Sequence, residues 1–234
     1  MRPHPHINLA TVSYLFDGAI MHRDSLGNEL AIVPGDIKLM VAGKGIVHYE
    51  RTPDNVRAVG HTLHLLQLCL ALPEPDEETA PAFYHYDACE LPTTELNGIA
   101  IRVMMGQAFG LKSPVKTFAQ TLYIEADIGA GKSLEIPGEE ERAIYVAGGE
   151  VEINGREVEA FSMAVLETDC VITVKESKDS RIALIGGETL TERHLFWNFV
   201  SSCKERLDQS KQNWKNGRFS KVTGDEEEFI QLPD

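Results

Sequence analysis

Two short segments carry donor groups at a spacing that an extended chain would turn into a binding site. His4-Pro5-His6 and His48-Tyr49-Glu50 each hold two ligating side chains at positions i and i+2, and in a strand such residues point to the same side. Two pairs of this kind on neighbouring strands would bring three imidazoles and one carboxylate to a single point. Neutral imidazoles with a carboxylate form the donor set of mononuclear non-haem iron(II) sites, which keep positions open for substrate and oxygen. Zinc, manganese, nickel or copper suit the same donors, so the ligands point to a metal more firmly than to its identity. A lone H-x-H beside Met1 would pass for accident. The H-x-E pair behind two turns is what makes a pattern of it.

These residues need short strands to aim them, and the surrounding sequence supplies such strands. β-prone runs at Thr11 to Phe16, Ala19 to His22, Leu30 to Val33, Ile37 to Val41 and Ile46 to Glu50 are separated by Asp17-Gly18, Asp24 to Asn28, Pro34-Gly35-Asp36 and Gly43-Lys44-Gly45. The rhythm is that of an antiparallel barrel or jelly roll. His61 to Leu72 reads as a strand buried on both faces, ended by the acidic loop Glu74 to Glu78. Ile99 to Met105 is another strand, and Gly110 to Pro114 reads as a connector. From Phe118 the pattern restarts, and Tyr145 to Val151 echoes Tyr14 to Ile20 at the same hairpin step, which predicts a duplicated barrel. Between Asn198 and Lys215 the spacing of Val200, Cys203, Leu207 and Trp214 predicts one amphipathic helix, with Ser201-Ser202 and Glu205 as its cap.

Bulk properties narrow the function. The 234 residues carry a formal charge of −14, which repels phosphate backbones and argues against direct nucleic-acid binding. No apolar run approaches the ~18 residues of a membrane span, and Met1 to Ile7 lacks the parts of a secretory signal, so a cytoplasmic protein is expected. Cys69, Cys89, Cys170 and Cys203 are too scattered for a metal knuckle or a disulfide framework, and are expected to be reduced, mostly buried thiols.

Other residues that invite a role read more plainly. His61 and His64 are three apart, which on a strand sends them to opposite faces. Gln67 could line the first pocket or be a backbone-bonded glutamine; His22 and His85 lie beside turns and are read as structural. Lys204, Arg206, Lys211, Lys215 and Arg218 form a solvated helix face. No histidine occurs between His85 and His194, so the second half cannot build a histidine site. Glu139, Glu140 and Glu141, roughly where the first half has its histidines, are read as a solvated turn.

His4-Pro5-His6, the stretch His22 to Asn28, Pro34-Gly35-Asp36 and the run Ala42 to Glu50 resemble the pirin signature within the cupin superfamily, as do Ile185 to Glu188, Trp197 to Ser202 and Gly224 to Phe229. The resemblance implies an all-β bicupin of two stacked jelly-roll barrels with a C-terminal α-helix. The N-terminal, metal-binding barrel is then expected over residues 1–112, a barrel without a metal site over 113–190, and helix and tail over 191–234. It implies metal ligands His4, His6, His48 and Glu50 around one divalent ion, foremost iron(II), with Glu50 also the catalytic base. The implied activity resembles that of quercetin 2,3-dioxygenase, with a flavonol-like small molecule and O2 as substrates, in a monomer. A metal- or redox-sensing regulator of a transcription factor or metabolic enzyme is the alternative, with the acidic loop and acidic tail as candidate contacts for a protein partner. Two departures stand out. The family's strands upstream of the first histidine are not in this sequence, which would leave His4 and His6 prone to fraying, or leave a barrel that has lost its activity. Ala10 occupies a place where many cupins have glutamate, a loss that Glu50 covers.

Overall fold

The computed structural model describes residues 1–168, 172–176 and 178–233. The chain forms two compact units, one of Met1–Ala88 together with the chain from Leu190 onward, the other of Cys89–Thr189. In the first unit the strands are β1 (His4–His6), β2 (Leu9–Asp17), β3 (Ile20–Asp24), β4 (Glu29–Ile32), β5 (Ile37–Val41), β6 (Ile46–Arg51), β7 (His64–Ala71) and β8 (Ala82–Tyr86). They make two four-stranded antiparallel sheets, ordered β1-β6-β3-β4 and β7-β2-β5-β8.

The second unit holds β9 (Thr93–Leu96), β10 (Ile99–Met105), β11 (Gln107–Ala108), β12 (Leu111–Lys112), β13 (Thr121–Ile128), β14 (Ser133–Ile136), β15 (Glu141–Gly148), β16 (Glu150–Ile153), β17 (Arg156–Glu159), β18 (Met163–Leu166), β19 (Ile172–Glu176) and β20 (Ser180–Gly187). Its sheets run β18-β15-β20-β13-β10-β9 and β14-β19-β16-β17. The four-stranded sheet repeats the order β1-β6-β3-β4 of the first unit, with β14 pairing β19 as β1 pairs β6. The fold is thus the expected bicupin.

Three expectations about layout need correction. The first barrel ends at Ala88, not at residue 112, because β10 pairs with β13 and turns Ile99, Ile101 and Val103 into the core of the second unit. The Tyr14 to Ile20 echo marks no hairpin: β2 and β3 lie in different sheets, as do β15 and β16. In both units the register slips just before the step, between Leu15 and Asp17 and between Val146 and Gly148, and such a bulge bends a strand out of its sheet. Finally, the place of β1 is taken in the second unit by β14, while Glu139, Glu140 and Glu141 sit at the head of β15. There Glu139 accepts from Gln120 Nε2 at 2.6 Å and Glu140 from the Thr189 amide at 2.9 Å.

The second barrel is filled with apolar side chains, among them Leu134, Ile136, Ile153 and Val174. The first is filled differently. Apolar clusters lie around Leu15, Ile20 and Ile32 and around Leu9, Met40 and Ile46, but its interior also buries His4, His6, His22, His48, Asp24, Lys38, Thr11 and Ser13.

The C-terminal segment belongs to the first unit. β21 (His194–Phe196) and β22 (Phe199–Ser201) precede a helix at Lys204–Lys215. The helix starts later than expected because Val200 is spent on β22, and its N-cap is Cys203, with no side-chain cap bond. Trp214, Phe219 and Val222 pack on Val47 and Tyr49, the outward residues of β6. The acidic loop is not wholly solvated either. Glu77 is buried, ion-paired to Arg193 Nε at 2.8 Å, and accepts from the Ser202 amide at 2.8 Å and the Ser202 hydroxyl at 2.9 Å. Arg206 Nε donates to Glu78 at 2.7 Å. Among the described residues no helix is long and apolar enough to cross a membrane.

Two substitutions probe this framework. Gly43, at φ +48°, opens the turn into β6, and a Cβ there would stand 2.0 Å from the Thr79 carbonyl oxygen. Gly43→Ala should therefore cost about 2–3 kcal/mol in denaturant unfolding; an unchanged midpoint would contradict the close approach. Glu77→Gln should cost about 1–3 kcal/mol in the same measurement, because Arg193 is left without its buried partner.

Candidate metal centre

Register and alternation together place the donors. β1 pairs with β6 so that His4 faces His48, and β6 pairs with β3 so that Glu50 faces His22 and His48 faces Asp24. Residues two apart then share a face, so all the histidines of these three strands look into the barrel. His4 and His6 are 4% and 5% exposed, which answers the expectation of fraying: both are held in a paired strand.

His4, His6 and His48 bring one donor atom each within 4.8 Å of one another, and so do His22, His48 and Glu50, with His48 common to both groups. His6 Nε2 and His48 Nε2 are 3.1 Å apart. Two nitrogens at ~2.1 Å from one ion, sharing an edge of an octahedron, would be separated by about 3.0 Å. His48 Nδ1 lies 3.9 Å from Glu50 Oε1. The spacing of His4, His6 and His48 thus suits a single ion, whereas the approach of His48 to Glu50 runs through the opposite ring nitrogen.

Protonation states fit as well. Burial is the main cause that lowers all four histidines, driving His6 and His48 well below the ordinary value of 6.5. Neighbouring histidines and the Lys38 ammonium add to the effect on His6 and His48. The imidazoles are therefore neutral, the form that binds metals. His4 Nδ1 donates to the Arg2 carbonyl at 2.9 Å, which leaves Nε2 with its lone pair. Asp24 works on His22 in the same way. Burial pushes the Asp24 carboxyl up, but bonds from His22 and Asn28 outweigh it and keep the group ionised. It accepts from His22 Nε2 at 3.0 Å, so His22 Nδ1 holds a lone pair, buried and without a hydrogen-bond partner.

The opposite sheet supplies a second set of polar groups. Ser13 on β2 is flanked in register by Lys38 on β5 and Gln67 on β7. Lys38 is fully buried and its ammonium donates to Glu50 Oε1. Gln67 Nε2 lies 3.3 Å from each Glu50 oxygen and donates to Ser13 Oγ at 3.2 Å. Burial works to raise the Glu50 carboxyl, but the adjacent Lys38 charge and hydrogen bond prevail and hold it below the usual glutamate value.

Sequence reasoning missed two members of this constellation. His22, read as structural, faces Glu50. Lys38 stood in view as the one charged residue of Ile37–Val41, otherwise apolar, at an inward position. Gln67 is exposed on β7 and turns its amide to the side chains of Glu50 and Ser13 rather than to backbone. The demoted histidines lie elsewhere. His61 is exposed beside Thr52, His64 packs its ring on Phe16, and His85 bonds Asp36 at 2.9 Å, with Asp87 close by. Cys69, Cys89 and Cys203 are free and exposed rather than buried, because they fall on an outer strand, a short turn and a helix cap. Cys170 lies outside the described residues.

Residues 1–70 match the pirin family model and residues 122–220 that of the pirin C-terminal cupin domain. A pirin-like protein of Caulobacter vibrioides is 41% identical over 100% of this chain and 82% of its own length. Human pirin is 34% identical over 92% of this chain and 76% of its own. The crystal structure of quercetin 2,3-dioxygenase from Acinetobacter baumannii superposes with a TM-score of 0.92 at 32% identity, covering 100% of this chain and 78% of that one. Shared over both halves of its sequence and in its three-dimensional structure, this likeness makes the chain a member of the pirin family.

Proposed function

We propose that the first barrel holds one divalent metal, foremost iron(II), through His4, His6, His48 and Glu50, and that the protein is a quercetin 2,3-dioxygenase-like oxygenase of a flavonol or related enolic substrate. The observation that carries this reading is the meeting of three neutral imidazoles at one buried point, with their lone pairs within 4.8 Å. The likeness to the Acinetobacter dioxygenase supports the reaction class. When bound, the ion would polarise the enolic oxygen of the substrate and make its proton easier to remove.

This chain's own residues supply the rest. Glu50 is ionised, so it can accept that proton, and its depressed pKa makes it a weak base suited only to an acidified hydroxyl. Gln67 holds the carboxylate in place from the facing sheet. Asp24 fixes the ring of His22 beside Glu50 and His48.

Metal analysis of the freshly purified protein, followed by oxygen uptake with a flavonol panel on iron-loaded samples, tests the proposal. About one metal per chain is expected, with His48→Ala losing the metal and at least about a hundredfold in uptake; equal rates for the two proteins would end it. The protonation states give a second check. Below pH 6.5 the unfolded chain protonates its histidines while the folded, metal-free protein resists, so the unfolded state binds more protons and stability falls with pH. Melting temperatures of metal-free protein should drop below that pH, as the unfolding free energy falls by at most ~1.4 kcal/mol per pH unit for each histidine, and less steeply in His48→Ala. A flat profile would contradict neutral, buried imidazoles.

A further inference from the structure

We propose that Lys38 makes the first barrel select a substrate that brings a negatively charged oxygen with it, a carboxylate or a preformed enolate, over a neutral one. The inference rests on the divalent ion proposed above and names the charge class of the substrate.

Lys38, the second residue of its strand, is 0% exposed. An ammonium has three hydrogens to donate, and Glu50 Oε1 takes one of them. In the metal-free protein Lys38 and Glu50 form a matched ion pair. An ion binding at Glu50 changes this. Glu50 and the neighbouring Asp24 together cannot offset both a dication and an ammonium, and a positive charge remains without a counter-charge in the barrel. Burying unpaired charge is costly, so the loaded pocket favours an incoming anion.

The geometry offers that anion a place. Lys38, Ser13 and Gln67 form one cross-strand row on the sheet facing the imidazoles. One step along the same face of β2 lies Thr11, 1% exposed, whose Oγ1 is buried with no hydrogen-bond partner. A buried hydroxyl left unpaired is unfavourable unless a ligand completes it. An anionic oxygen beside the metal would take the hydrogens Lys38 has spare, and a second polar atom of the same molecule could satisfy Thr11.

The test is binding to the cobalt(II)-loaded full-length protein, read by visible absorption, with acetate, the enolate of acetylacetone and neutral acetamide as probes. Wild type, Lys38→Met and Lys38→Gln are compared, with cobalt content measured on every sample. Wild type should prefer both anions to acetamide. Each variant that retains cobalt should lose about tenfold or more in affinity for the anions while acetamide is unaffected. A loss confined to acetate would mark a carboxylate substrate, and one confined to the enolate an enolic substrate. Anion affinities unchanged in a cobalt-loaded variant, or a wild type indifferent to charge, would overturn the role of Lys38 and leave the metal reading standing. Wild type that takes up no cobalt would overturn both.

Discussion

The ion pair between Lys38 and Glu50 spans the two sheets of the first barrel, and much of the interior is arranged around it. Either charge alone would be very unfavourable at that depth, and even a matched pair in a protein interior is at best near neutral against an apolar replacement. The barrel accepts this by surrounding the pair with groups that can bond it or stay uncharged. Gln67 takes up both oxygens of Glu50. The four histidines, which could each have added a positive charge beside Lys38, are kept neutral by their burial. Asp24, the other buried acid nearby, is occupied by His22 and by Asn28 and the amide of Leu26. Remove the lysine, and Glu50 loses what holds it ionised without a metal.

The second unit shows what the same topology becomes when no such interior is needed. Its β14 and β19 pair as β1 and β6 do, yet Leu134, Ile136, Ile153 and Val174 close the space with hydrocarbon. An apolar interior of this kind gains from burial and demands no partners for polar atoms. The first barrel gives up that gain in its middle and keeps apolar clusters toward its ends. One half of the chain is thus built to be stable, and the other to hold reactive groups in a fixed arrangement.

The histidines of the first barrel were legible because alternation along a strand is a local property: His4, His6, His48 and Glu50 could be paired from spacing alone. Lys38 and His22 were not, because their significance depends on which strands lie side by side and which sheet faces which. No spacing within Ile37–Val41 says that Lys38 will meet Glu50, twelve residues on and in the other sheet. The boundary between units was hidden for the same reason, since β10 reads as a strand whichever barrel it joins. Glu77 looked like surface within a run of acids, and only its bonds to Arg193 and Ser202, more than a hundred residues away, bring it inside.

Those distant bonds bear on the site as well. β6 carries His48 and Glu50 on one face and Val47, Tyr49 and Arg51 on the other, so whatever packs on the outer face fixes the strand that presents the donors. That covering comes from the C-terminal segment: Trp214, Phe219 and Val222 on Val47 and Tyr49, and Asp225 and Glu228 on Arg51. β1 is fixed likewise, because Ile7, next to its last histidine, bridges to Phe199 and packs with Leu207. Since a metal site tolerates only small displacements of its donors, the helix and acidic tail are structural supports of the proposed centre, although among the described residues none of their side chains enters it. The acidic residues there do work that their composition alone would assign to solubility.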